Sequence, residues 1–202
     1  MKYEHPWPHV ILDDFLDQED LDLIVQECNN ILELVDYPDI RHQFLIDWNV
    51  ESKKSQSKLR LNESDISFQY DNVLSYIPKK YESKLKKIYK QLNNKPSKHK
   101  FVNMELMICN KKFEHSIHDE NPSKILSAVT YISKDNNNGT TIYNSKNDEY
   151  YNPVKKIKWK QNRCFIFSGQ KNKTWHAFSS NGKNVRITLN LFLCGKESIS
   201  HD

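Results

Sequence analysis

The sequence predicts a mainly β protein with helices at its N-terminal end, an α+β chain whose strands form a sandwich or jelly-roll barrel covered by those helices. Three observations carry this expectation. Over the first hundred residues apolar side chains recur at helical spacing. From about residue 100 the pattern alternates in short β-branched or aromatic runs, separated by turn signals such as DNNNG, SKND and SSNGKN. No repeat, proline-rich linker or boundary divides the 202 residues. One domain is therefore expected over 1–202, with helical support over about 1–99 and the jelly-roll core over about 100–195.

Taken in order, HVILDDFL is a short apolar strand, after which Asp17 is placed to cap a helix running through QEDLDLIVQECNNILELV. Leu21, Ile24, Val25, Cys28, Leu32 and Val35 form its apolar stripe, and Asp20 suits the first turn. A second helix is expected at PKKYESKLKKIYKQLN, where Pro78 fits the first turn and Tyr81, Leu85, Ile88 and Leu92 mark the buried face. Six lysines line its other face. A nucleic-acid surface would need aromatic, Arg or Asn readers among them, and only Tyr89 qualifies, so they read as a solvated surface. The strand candidates that follow are FVNMELMIC, KILSAVTYIS, TTIYNS, VKKIKWK, RCFIFS, WHAFS and VRITLNLFL. Residues 37 to 75 carry the weakest signal.

Composition narrows the classes of function. The net charge of +4 arises from 30 basic and 26 acidic residues, mixed along the chain, so nucleic acid is not the expected partner. Cys28, Cys109, Cys164 and Cys194 form no C-x-x-C pair, which argues against a zinc ribbon or disulfide scaffold and fits a reducing cytoplasm. No apolar h-region opens the chain and no run approaches the ~20 residues of a membrane span, so a soluble protein is expected. Frequent lysine and asparagine fit an A/T-rich genome such as that of a virus.

The chemistry concentrates in two places. HSIHDENPSK contains His118-x-Glu120, and residues two apart on an extended backbone share a side. His176 follows 58 positions later (176 − 118). Two imidazoles and a carboxylate can occupy one face of an octahedral iron and leave positions open, whereas a structural zinc would want a fourth protein ligand. Asp119 competes with Glu120, but strand neighbours face oppositely, and Glu120 is favoured. His115, three before His118, is expected to point away, toward a rim or a substrate. Arg186 lies ten residues beyond His176, and alternation places Arg186, Thr188 and Asn190 on one face of the last strand. A guanidinium turned inward must be paired, and its planar fork matches a carboxylate. A ligand that chelates iron at one end and presents a carboxylate at the other, as 2-oxoglutarate does, fits that pair of features. Singly, each residue has an ordinary reading: a surface histidine, a core histidine under Trp175, a structural salt bridge.

The order H-x-E, Lys124 opening KILSAVTYIS, Asn138-Gly139-Thr140, RCFIFS, WHAF and RITLNLF resembles the Fe(II)- and 2-oxoglutarate-dependent dioxygenases, in particular the prolyl-4-hydroxylase-like branch. PHVILDDFLDQEDLDLIVQ resembles that branch's opening strand and helix, so the likeness covers most of the chain. It implies a double-stranded β-helix and an iron site of His118, Glu120 and His176. Arg186 with Thr188 would hold the distal carboxylate of 2-oxoglutarate. It further implies the cofactors Fe(II), 2-oxoglutarate and dioxygen, with ascorbate as an auxiliary reductant, and hydroxylation coupled to decarboxylation to succinate. Trp175, Phe178, Phe165 and Phe167 are the candidates for a water-excluding wall.

The chain departs from the family at four positions: Glu120 stands where aspartate is usual, Cys109 where many members have tyrosine, Lys112 where glycine is usual, and Arg186 where collagen-type enzymes carry lysine. The expected substrate is a prolyl or other amino-acid side chain in a peptide. A free amino acid or small metabolite is the alternative, and an alkylated nucleobase is not expected without a base-stacking aromatic cluster. A metal-free jelly-roll binding module would keep the fold without oxidation, and a cupin-type metalloenzyme would have no need of Arg186.

Overall fold

The computed structural model describes residues 2–34, 41–61, 73–144 and 153–195; Val35 and the SKND turn fall outside them. The described elements, in chain order, are β1 (Lys2–Tyr3), β2 (His9–Leu12), α1 (Gln18–Leu34), β3 (Arg41–Asn49), β4 (Lys54–Leu61), α2 (Ile77–Asn93), β5 (Phe101–Cys109), β6 (Glu114–His118), β7 (Lys124–Tyr131), β8 (Thr141–Tyr143), β9 (Pro153–Lys156), β10 (Cys164–Phe167), β11 (His176–Ser179) and β12 (Arg186–Cys194). They form two sheets, β1-β2-β10-β7-β12-β5-β3-β4 and β6-β11-β8-β9. Every described pairing is antiparallel.

The helices begin where their sequences predict. The Asp17 carbonyl accepts the Leu21 N–H at 3.0 Å, while its side chain pairs with Lys80 at 2.8 Å. Pro78 sits in the first turn of α2, which ends when Asn94 turns left-handed at φ 55° and returns its N–H to Lys90 O. Asp20, buried in the first turn of α1, ties the two helices together: Tyr76 and Tyr81 each donate to it at 2.6 Å and Lys80 pairs with it at 2.7 Å. Tyr89 is buried, so it cannot read a nucleic acid from the lysine face.

Alternation along β12 divides the molecule into layers. Leu189, Leu191 and Leu193 join Val102, Met104, Leu106 and Ile108 of β5 in the core beneath the helices. A second core, with Trp7, Tyr131, Ile142, Trp159, Phe165 and Phe167, lies between the two sheets. The order is helices, large sheet, small sheet.

Residues 41–61 correct the expected helical support. They form β3 and β4, and β3 pairs with β5 over nine positions. RHQFLIDWN is buried on both faces, so it lacks the alternation that marks a half-buried strand. KSQSKLRL is a lysine-bearing edge strand, which suits a sheet boundary but gives little apolar signal. No described helix is long and apolar enough to cross a membrane.

Candidate active site

A cavity of about 450 Å³ opens between the sheets. On its small-sheet wall His118 of β6 and His176 of β11 are direct register partners, with ring centroids 4.3 Å apart. The Nδ1 atoms lie 2.8 Å from Ser116 O and 2.9 Å from Thr174 O, respectively. A carbonyl only accepts, so each ring carries its proton on Nδ1 and leaves the Nε2 lone pair available. Burial lowers the pKa of both histidines; the neighbouring His176 adds to this at His118, while Glu120 opposes it at His176. Both are neutral near pH 7, the form that ligates a metal.

Glu120 follows β6 and is 8 % exposed. Its Oε1 lies 3.8 Å from His176 Nε2 and accepts the Ser127 hydroxyl at 2.8 Å. Lys124 Nζ stands 3.6 Å from Oε2 and 3.7 Å from the centre of the Phe192 ring. Burial raises the Glu120 carboxyl, but Lys124, His176 and the Ser127 hydrogen bond hold it below the usual range. Asp119 spends Oδ2 on the Asn172 N–H at 2.6 Å. Glu120 is thus the carboxylate beside the two imidazoles. Among the described residues no three His, Cys, Asp or Glu form a preformed metal cage.

On the large sheet Arg186 is 1 % exposed and pairs in register with Cys109. Among the described residues its Nε reaches only Asn138 O, at 3.4 Å, and its Nη2 has no hydrogen-bond partner. The guanidinium lies 4.2 Å from the centre of the Phe178 ring and 5.5 Å from that of Trp159. Burial lowers its pKa. Thr188 Oγ1, two residues along the same face, is also buried without a partner among the described residues. Tyr131 cannot replace the missing phenol at Cys109, because its hydroxyl accepts the Thr140 N–H at 2.9 Å and donates to Thr140 Oγ1 at 3.2 Å.

Solved structures share this architecture. A prolyl-4-hydroxylase from Pseudomonas putida superposes with a TM-score of 0.55 at 11% identity, covering 93% of this chain and 92% of that one. A prolyl hydroxylase from Trichoplax adhaerens, in complex with a hypoxia inducible factor oxygen degradation domain peptide fragment, gives 0.58 at 11%, covering 96% and 87%. An oxidoreductase of the 2OG-Fe(II) oxygenase family from Burkholderia pseudomallei gives 0.55 at 10%, covering 94% and 85%. The fold is that of the 2OG-Fe(II) oxygenases. No family model matches the sequence, and no curated relative matches it.

Within this oxygenase fold two expectations change. His115 does not point away: it lines the cavity, its ring centroid 4.1 Å from that of His118. The cause is an irregularity in register, in which His118 opposes His176 but His115 opposes Phe178, so three steps on β6 match two on β11. The extra residue reverses the parity of the strand. Trp175 is not part of the cavity wall, because His176 and Phe178 face inward and their neighbour faces out. Phe178 lines the cavity, and Phe167 packs edge-on against His176 at 5.0 Å. Lys112, where the resemblance led us to expect glycine, is not at positive φ; its N–H bonds Asn110 Oδ1 at 3.0 Å.

The cavity also holds side chains outside the set expected from the sequence. Glu105 of β5 receives Gln43 Nε2 and, at 3.3 Å, Asn190 Nδ2. Its signal was the one that exposed Arg186, a charged residue within an apolar strand whose other face is core. Lys124 and Ser127, the two supports of Glu120, sit at the start of β7 and carry no signature of their own.

Proposed function

We propose that this protein is an Fe(II)- and 2-oxoglutarate-dependent dioxygenase, with His118, Glu120 and His176 as the iron ligands and Arg186 with Thr188 as the grip on the distal carboxylate of 2-oxoglutarate. One observation carries the reading. Arg186 is a fully buried cation with no carboxylate within ion-pairing distance among the described residues, in the same cavity as two neutral imidazoles and a carboxylate. An unpaired buried charge is costly, and a bidentate carboxylate is the anion its fork fits. The two sheets are read as the halves of a double-stranded β-helix, and the chain as one domain.

When bound, iron and 2-oxoglutarate supply the oxidation, dioxygen placing one atom in a substrate C–H bond and one in succinate as carbon dioxide leaves. The chain supplies position. His118 and His176 offer Nε2 because backbone carbonyls hold their Nδ1 protons. Ser127 and Lys124 fix the two oxygens of Glu120 and keep it anionic. Phe178 covers the guanidinium and Phe167 the back of His176, which excludes water and strengthens the charge contacts.

The substrate reading is a prolyl or other amino-acid side chain in a peptide, supported by the peptide-bound prolyl hydroxylase of the same fold. A free amino acid or small metabolite uses the same chemistry. The four buried cysteines form no disulfide among the described residues, and a reducing cytoplasm is the compartment proposed. The deciding experiment adds 2-oxoglutarate to the anaerobic Fe(II) protein and looks for the visible metal-to-ligand charge-transfer band. Its absence, with no iron bound, would establish the metal-free binding module instead. Succinate release, with ascorbate present, against proline-containing peptides, free amino acids and modified oligonucleotides then sorts the substrates. Stimulation by oligonucleotides alone would sink the peptide reading.

A further inference from the structure

The cavity contains a second unbalanced charge, opposite in sign to Arg186. Glu105 is 9 % exposed, yet no lysine, arginine or histidine nitrogen among the described residues pairs with it. Among the described residues its hydrogen bonds come from two neutral amides, Gln43 on β3 and Asn190 on β12, the strands that flank β5. The other cavity acids are engaged: Glu120 by Ser127 and Lys124, Asp119 by the Asn172 N–H. Lys124, whose ammonium pairs with Glu120, acts on Glu105 only through space, so this desolvated carboxylate is left without an ion-pair partner of its own among the described residues.

The amides show which ligand would complete the set. Because a carboxylate only accepts, it fixes Gln43 and Asn190 with their NH₂ groups toward it. The opposite ends, Gln43 Oε1 and Asn190 Oδ1, are buried acceptors without a partner among the described residues, on side chains 7 % and 5 % exposed that line the cavity. Around the Glu105 carboxylate the lining thus adds two further acceptors, one from each flanking strand. A primary ammonium is the complement: one positive charge, three donors, no acceptor. The patch also lies clear of the proposed cosubstrate grip, since Glu105 is four residues along β5 from Cys109, the register partner of Arg186, or about 13 Å on a strand.

We infer that Glu105, Gln43 and Asn190 form the subsite for a positively charged primary amine of the substrate, either a lysine side chain in a peptide or the α-amino group of a free amino acid. The inference deepens the proposed function, and it rests on that reading only in taking this cavity as the substrate pocket.

The test uses direct binding to the full chain without metal, by calorimetry, and two pairs of probes that differ in the charged nitrogen. N-acetyl-lysine methylamide against N-acetyl-norleucine methylamide reports a peptidyl side-chain amine. L-Norleucine against hexanoate reports a free α-amine. The charged member of at least one pair is expected to bind about tenfold or more tightly than its neutral counterpart, and Glu105→Gln, which keeps the shape and removes the charge, should bring that ratio close to one. Equal affinities within both pairs, no binding by any probe, or a preference that survives in a folded Glu105→Gln protein would overturn the subsite. If Glu105→Gln does not fold, the wild-type ratios decide. The charge-transfer band is recorded separately: an amine preference without the band refutes the oxygenase reading and leaves the subsite standing, whereas the band without the preference does the reverse.

Discussion

His115 and His118 place their ring centroids 4.1 Å apart on the same side of β6, although three residues separate them. Three imidazoles therefore face the cavity, and only two of them flank Glu120. His118→Ala should abolish Fe(II) binding. His115→Ala should retain it within about 1 kcal/mol, because His115 stacks on Phe178 at 5.1 Å and lies on the far side of His118 from the carboxylate. Anaerobic iron titration of the two variants separates them. Loss of iron in both would move the metal toward His115.

His176→Ala should also lose iron while remaining folded. The ring faces a cavity and contributes little to the core under the helices, so the near-ultraviolet dichroism and melting profile should stay close to those of the parent protein. Normal iron binding by this variant would dismantle the ligand set.

Arg186→Leu should weaken 2-oxoglutarate by about 2–5 kcal/mol and leave Fe(II) affinity unchanged, since it removes the carboxylate partner without touching the imidazoles. Titration of the charge-transfer band against 2-oxoglutarate measures the first quantity and anaerobic iron titration the second. An unaltered cosubstrate affinity would make the arginine purely structural.

Asp13 gives a prediction about stability. Arg163 donates to it at 2.6 and 3.0 Å and Lys160 at 3.0 Å, and these hydrogen bonds, Arg163 foremost, push its carboxyl down to about 2 from 3.8. A carboxyl depressed on folding stabilises the protein above its unfolded value, and that contribution fades as the pH falls from about 3.8 through about 2. The pair is about a third exposed on the Asp13 side, so solvent reduces its worth to about 0.5–1 kcal/mol. Asp13→Asn should lower the melting temperature at pH 7 and match the parent more closely at pH 3. A gap that widens toward acid would contradict the assignment.

The helices were legible from their apolar stripes, and eight strands from alternation or from short β-branched and aromatic runs between turn signals. β3 was not, since His42, Gln43 and Asp47 are buried among its apolar side chains and leave neither a run nor an alternation. The inward turn of Arg186 followed from alternation, whereas His118 and His176 were joined by the ligand set and the family resemblance, and only the structure shows them as register partners. Alternation misplaced His115 because one extra residue in β6 reverses parity, and nothing in HSIH marks where that residue falls. Glu105 was legible in principle: Asn103 and Glu105 interrupt FVNMELMIC at the period of two that revealed Arg186. Its amide partners come from β3 and β12, and only the sheet order brings them together.

The layering of β12 has a consequence for how this protein can change. Even-numbered positions, Arg186, Thr188, Asn190 and Phe192, line the cavity, and odd-numbered ones, Leu189, Leu191 and Leu193, fill the helix-side core. Selection on ligand preference and selection on cellular abundance therefore act on interleaved but separate sets of codons. A saturation library over this one strand should resolve into two phenotypes in strict alternation: odd positions that deplete the protein, and even positions that leave it abundant with altered ligand choice.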